Sequence, residues 1–282
     1  MRPRASRVQR VALTCIVAAV AAVALAACGD EEEAQTLTYT VTDQGKGTKV
    51  EGPASAETGL VEITLRNQGK SESDLQLIRV EGDHSPEEAI EGLEKAMDGK
   101  PFPDWFFAGG GLGITGPGKS QTVTQVLEPG TYYAFDTEGS QGPPDPGSVP
   151  ALEVSGEESS DEVEADATVS AVEYSFEADE VPSGKVEVDF ENAGTQPHHL
   201  IAAPLEGNAT AADVEQAIKS EKGQPPIDEE GTKNTAVLEG GEGQLITLDL
   251  EPGRYALLCF ISDRQGGPPH ALMGMVDEVE VK

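Results

Sequence analysis

Sulfur and imidazole are scarce in this chain and gather near its end. Cys259 is followed after ten residues by His270 and after four more by Met275, with Met273 between them. A histidine pair, His198 and His199, stands about sixty residues upstream, behind Gly194-Thr195-Gln196-Pro197. One thiolate, two imidazoles and a weakly held thioether are the donors of a blue-copper electron-transfer centre. Each also has an ordinary alternative: a small buried thiol, histidines in loops, a methionine in a core.

The N-terminus raises the weight of Cys259. Arg2, Arg4, Arg7 and Arg10 precede an apolar stretch from Val11 to Ala27 that closes on Leu25-Ala26-Ala27-Cys28. A charged start, an apolar middle and small residues before a cut describe a secretory signal. The closing tetrad resembles a bacterial lipobox, which implies cleavage before Cys28 and acylation of its thiol. Cys15 then departs with the signal, and Cys259 has no intrachain disulfide partner. An odd cysteine in an exported chain is a free thiol, an intermolecular bridge or a metal ligand. The expectation is an extracytoplasmic lipoprotein, held to the cell membrane by the lipid on Cys28.

The formal net charge is −32, and loss of the four signal arginines makes it −36. Nucleic acid is disfavoured as a partner, because phosphate binding needs a basic footprint. Anionic lipid would repel the body of the protein, so membrane attachment must rest on the lipid at Cys28. The field would steer cations or basic protein surfaces, or serve solubility alone.

Elements that could position these donors follow from an internal repeat. Shifted by 125 residues, Val61 to Gly69 lies over Val186 to Gly194, and Leu75 to Gly82 over Leu200 to Gly207. Leu127-Glu128-Pro129-Gly130-Thr131-Tyr132 matches Leu250-Glu251-Pro252-Gly253-Arg254-Tyr255 at a shift of 123. Short alternating strands recur through both copies, including Leu37 to Val41, Thr168 to Phe176 and His199 to Ala203. Ser85 to Glu88 and Thr210 to Asp213 are helix starts, each a hydroxyl with an acid three residues on. This pattern predicts an all-β protein of two tandem Greek-key β-sandwiches, each with one short helix inserted. The divisions are a signal over 1–27, an acidic tether over 28–35, a first domain over 36–155, an acidic linker over 156–166 and a second domain over 167–282.

The second copy resembles the cupredoxins. Ala171 to Phe176, Pro182 to Val188 and Glu191 to His198 look like the strands leading to the first copper histidine. Pro252 to Cys259, with His270 and Met275, looks like the closing ligand loop. The resemblance implies a cupredoxin-like fold and copper held by His198, Cys259, His270 and Met275, with His199 and Met273 as reserves. The gap from Cys259 to His270 is longer than in compact cupredoxins, which implies a more open or differently tuned site. In the first copy Ser73, Asp136, Asp145 and Pro150 occupy the ligand positions, so that copy is expected to be a spacer, docking surface or cover without copper. Asp74, Asp136 and Asp145 there would suit a hard cation or be solvated, and His84 is expected in solvent. The segment Phe102 to Gly113 is expected to pack on the sandwich end or to bind a partner through its aromatics.

The function expected is a one-electron carrier that exchanges electrons with a redox partner protein. A copper chaperone delivering to an acceptor, and a metal-free binding module, are the alternatives. The histidine content does not extend to a second, catalytic copper, so an enzyme is not expected.

Overall fold

The computed structural model describes residues 34–139, 142–157, 164–178, 180–220 and 223–282. The signal segment, Cys28 and positions 158–163 of the acidic linker lie outside the described residues. Among the described residues no helix is long and apolar enough to cross a membrane.

The first copy runs β1 (Gln35–Gln44), β2 (Gly47–Glu51), β3 (Ser55–Glu57), β4 (Gly59–Asn67), β5 (Ser73–Val80), α1 (Pro86–Met97), β6 (Phe106–Thr115), β7 (Ser120–Leu127), β8 (Gly130–Phe135) and β9 (Ala151–Ser155). The second runs β10 (Ala167–Val172), β11 (Ser175–Ala178), β12 (Gly184–Asn192), β13 (Ile201–Pro204), α2 (Ala211–Ser220), β14 (Lys233–Asn234), β15 (Gly243–Leu250), β16 (Gly253–Leu258), α3 (His270–Met273) and β17 (Val276–Val281). The alternation read from sequence is the burial pattern observed. Val61, Ile63 and Leu65 of β4, and Val186, Val188 and Phe190 of β12, all face inward. One side of each strand is apolar because successive side chains point to opposite faces.

The chain is all-β, with short helices, and the repeat is visible in detail. In both copies a parallel pair, β1 with β4 and β10 with β12, opens the sandwich. In both, a tyrosine hydroxyl reaches back four residues to a carbonyl: Tyr132 to Glu128 at 3.1 Å and Tyr255 to Glu251 at 3.0 Å. That contact pins the corner where one strand turns into the next. Both helix starts are reciprocal caps. Glu88 N–H donates to Ser85 Oγ and Ser85 N–H to Glu88 Oε2, and Thr210 and Asp213 repeat the exchange.

The two copies are fused, which the sequence did not announce. Strands β11, β10, β12 and β15 continue through β7, β4, β1 and β2 as one eight-stranded sheet, and β15 pairs with β7 over Gln244–Gln125 to Ile246–Val123. The second sheets stay separate: β3-β9-β8-β5-β6 in the first copy and β14-β13-β16-β17 in the second. One continuous buried cluster draws residues from both copies and includes Cys259 and Met275.

Several local expectations are corrected. The stretch Thr168 to Phe176 is a hairpin, because Tyr174 takes φ 56° and turns the chain between β10 and β11. The strand after the histidine pair starts at Ile201, while His198 makes an isolated bridge with Leu238. The segment Phe102 to Gly113 enters β6 and is an inter-copy seam: Gly110 N–H donates to the Val237 carbonyl at 3.0 Å and Glu239 N–H to that of Ala108 at 2.9 Å. Gln76 exchanges both side-chain amide bonds with the Val237 backbone. His84 stacks on Trp105 with centroids 3.8 Å apart. The linker ends are bound rather than free, with Thr58 Oγ1 donating to the Glu157 carbonyl and Glu187 N–H to Asp166. In the first copy Asp74 and Asp136 lie together, and Asp74 N–H donates to Asp136 at 3.1 Å; Asp145 is apart, capping the Gly147 amide. Burial, with Asp136 adding to it, raises the Asp74 carboxyl to about 7.

Candidate metal centre

Three elements converge on Cys259. It directly follows β16, an inner strand of the four-stranded sheet, and is fully buried. The loop 260–269 then leaves and returns, and its return is stapled to its start: His270 N–H donates to the Ile261 carbonyl at 2.9 Å and Ala271 N–H to that of Cys259 at 2.7 Å. His270 opens the one-turn α3, which ends on Gly274 at φ 111°, a left-handed cap that only glycine adopts readily. Helix α2 supports this turn, because Val214 and Ala271 share one buried cluster. His198 arrives from the other side, with its backbone exchanging hydrogen bonds with Leu238 at 2.8 and 3.0 Å. Asn192 braces that approach by donating to the Gln196 and Leu238 carbonyls.

The donor atoms meet in a dry site. His198, Cys259 and His270 are each 0 % exposed, and their ligand atoms all lie within 4.8 Å of one another. His270 Nδ1 is 3.1 Å from His198 Nδ1 and 3.6 Å from Cys259 Sγ. A metal about 2.0–2.1 Å from each nitrogen and about 2.3 Å from sulfur separates the nitrogens by roughly 3.1 Å at an angle near 100°, and nitrogen from sulfur by roughly 3.6 Å near 112°. The spacing fits one ion held by all three. Thiolate with two imidazoles and a thioether is the donor set of type 1 copper.

Met275 and Met273 part company. Met275 is 0 % exposed, within the cluster that holds Cys259, and its N–H donates to the His270 carbonyl at 3.0 Å. Met273 is 41 % exposed. The histidine pair divides likewise, as strand-like alternation requires. His199 points away and its Nε2 accepts the Phe260 N–H at 2.9 Å.

The surroundings set the proton inventory. His270 Nε2 is 3.1 Å from Asp263 Oδ1, and the same carboxylate accepts the Tyr174 hydroxyl at 3.0 Å. A carboxylate on Nε2 places the proton there in the neutral ring and leaves the Nδ1 lone pair for a metal. Burial lowers His270 and brings His198 down to about 4, in the second case with help from His270 itself. Burial pushes the Cys259 thiol up to about 12. Near neutral pH the metal-free protein therefore carries two neutral imidazoles and one thiol here. Binding needs the thiolate, so uptake of Cu(II) should expel one proton, and its apparent affinity should rise about tenfold per pH unit between roughly pH 7 and 9, above the imidazole range and below the Cys259 thiol. Calorimetry in buffers of different ionisation enthalpy checks this; two protons released, or none, would contradict it.

Asp263, Tyr174, Asn192 and Gln196 went unnoticed in the sequence. Asn192 had a usable signal, since Asn67 with Gly69 aligns with Asn192 and Gly194, and both asparagines accept the glycine N–H two residues on. Of the two readings of the long loop, a more open site or a differently tuned one, the open site is not what is seen, because the donors are buried and the loop is packed against the first copy.

No family model and no curated protein matches the chain. Solved structures do. Auracyanin B is 25 % identical over 41 % of this chain and 86 % of its own, with a TM-score of 0.27. The reduced auracyanin of the photosynthetic bacterium Roseiflexus castenholzii is 24 % identical over 41 % and 94 %, at 0.28. A multicopper oxidase spans 88 % of both chains at 15 % identity and 0.24. The case for copper rests on the donor atoms.

Proposed function

We propose that this protein is a one-electron carrier whose His198, Cys259 and His270 would hold a type 1 copper, with Met275 as a weak thioether donor. The observation that carries the reading is the convergence of three buried donors that hydrogen bonds already hold in place. Copper bound there would supply a one-electron couple. The chain's own contribution is to exclude water, fix the imidazoles and keep the Cys259 backbone tied to Ala271, so that little has to move when charge changes. Low rearrangement is what electron exchange needs.

We place it outside the cytoplasmic membrane, tethered by lipid on Cys28, with a redox protein as partner. The other histidines support a carrier over an oxidase, since His199 is occupied by the Phe260 amide and His84 stacks on Trp105. A copper chaperone would favour exposed, exchangeable donors, whereas these are buried; faster transfer of copper to an apo-acceptor than of electrons would select that alternative.

The test is a visible absorption spectrum of the region after Cys28 with one equivalent of Cu(II), beside Cys259→Ser. An intense thiolate-to-copper band that disappears in the variant is expected. A folded protein with no such band would overturn the reading.

A further inference from the structure

The loop between Cys259 and His270 is gripped at its midpoint through Arg264, which is anchored to Glu239 of its own copy and reaches across to the copy that lacks the copper-donor set. Arg264 Nη1 donates to Glu239 Oε2 at 2.8 Å, and its Nη2 reaches the Pro103 and Phe106 carbonyls at 3.3 and 3.1 Å. Its guanidinium lies 4.8 Å from the Phe107 ring centre and 5.8 Å from that of Phe102. The backbone joins in: Phe102 N–H donates to the Arg264 carbonyl at 2.8 Å and Gly267 N–H to that of Gly99 at 3.0 Å. Arg264 N–H in turn donates to Gln196, two residues before His198. Glu239, which is 9 % exposed, also accepts the Ala108 amide and follows Leu238, the backbone partner of His198.

The grip therefore touches both sides of the metal site. Through Leu238 and Gln196 it bears on His198, and through the neighbouring Asp263 it bears on His270. A planar fork that satisfies a carboxylate and two carbonyls at once, over an aromatic face, is a task for arginine that lysine does not reproduce. A loop of ten residues would otherwise be the softest part of the site.

We propose that the metal-free copy serves as a clamp on the ligand loop of the other, with Arg264 as the positioning residue that transmits it. The inference rests on the copper reading above. It assigns the first copy a role in metal retention and site geometry.

The test uses the whole chain after Cys28 and compares wild type, Arg264→Gln, Arg264→Lys and, from the other side of the contact, Phe107→Leu. Copper release to excess EDTA should be about tenfold or more faster in Arg264→Gln, the range seen when outer supports of metal ligands are removed. Its charge-transfer band should shift, and Arg264→Lys should recover only part of the retention. Release rates within twofold of wild type and an unmoved band, in a folded Arg264→Gln protein, would overturn the clamp. If wild type binds no copper, the functional reading fails by itself. The clamp is then judged on hydrogen exchange at the Phe102 and Gly267 amides: exchange about tenfold faster in Arg264→Gln, or in Phe107→Leu should the first variant not fold, upholds it, and unchanged protection rejects it.

Discussion

Asp263→Ala should weaken copper binding by about 10–100-fold while leaving the fold intact. The carboxylate receives two donors, His270 Nε2–H and the Tyr174 hydroxyl. Its removal strands a buried imidazole N–H and lets the proton move to Nδ1, the atom that faces His198 and Cys259. Tyr174 is committed to this arrangement. It holds φ 56°, a backbone region that large side chains rarely enter, and its ring stands edge-on to His270 with centroids 5.3 Å apart. Strain of that kind persists where the surroundings over-determine it. Asp263→Asn offers a carbonyl oxygen to the same Nε2–H and should retain most of the affinity. Competition titration against a chelator measures both variants; an Asp263→Ala affinity within twofold of wild type would show that the contact does not orient the ring.

Gly113→Ala should destabilise the protein by about 3 kcal/mol, the upper end of the range for forcing an extra carbon into a packed site. A Cβ at position 113 would fall inside the contact radius of the Asn234 carbonyl oxygen, on the backbone of the other copy. Neither side can yield, because Ile114 N–H already donates to Asn234 Oδ1 at 3.0 Å and the Gly110 and Glu239 backbone bonds fix the same seam. For a domain of this length the change is about 6 °C in melting temperature. Gly118→Ala is the control. Unlike Gly113 it has positive φ, 68°, but open space around the new carbon, so only the conformational penalty of about 1 kcal/mol applies. Equal losses in the two variants would mean that the close backbone approach at the seam is not what limits the sequence.

How far the sequence could be read depended on where the information was local. Helix caps, the Leu-Glu-Pro-Gly turns and the Val61 and Val186 strands announce themselves through neighbours one to four residues away. The donors did too, since Cys259, His270 and Met275 follow one another on a single returning loop. What escaped depends on contacts between distant segments. Strand β6 carries glycines at 109, 110, 111 and 113, which have poor strand propensity and make sense only once the backbone of 234–239 is seen to lie against them. Arg264 reads as one more solvated cation until Phe102, Phe107 and Glu239 surround it. The break at Tyr174 was invisible because a tyrosine seldom turns a chain; its reason is Asp263, 89 residues later. The resemblance pointed to His198, Cys259 and His270, which the fold brings together, and the duplicated scaffold explains why they are held so firmly.

The continuous sheet also changes what the covalent join between the copies is for. Pairing of β7 with β15, the Gln76–Val237 exchange and the Arg264 bonds to the Pro103 and Phe106 carbonyls all connect the halves without using residues 158–163. A protease that cut the acidic run would sever the chain and leave these contacts in place, so the two fragments would stay together and the metal donors would remain covered. A nicked molecule would migrate as two pieces under denaturing conditions and behave as one in solution.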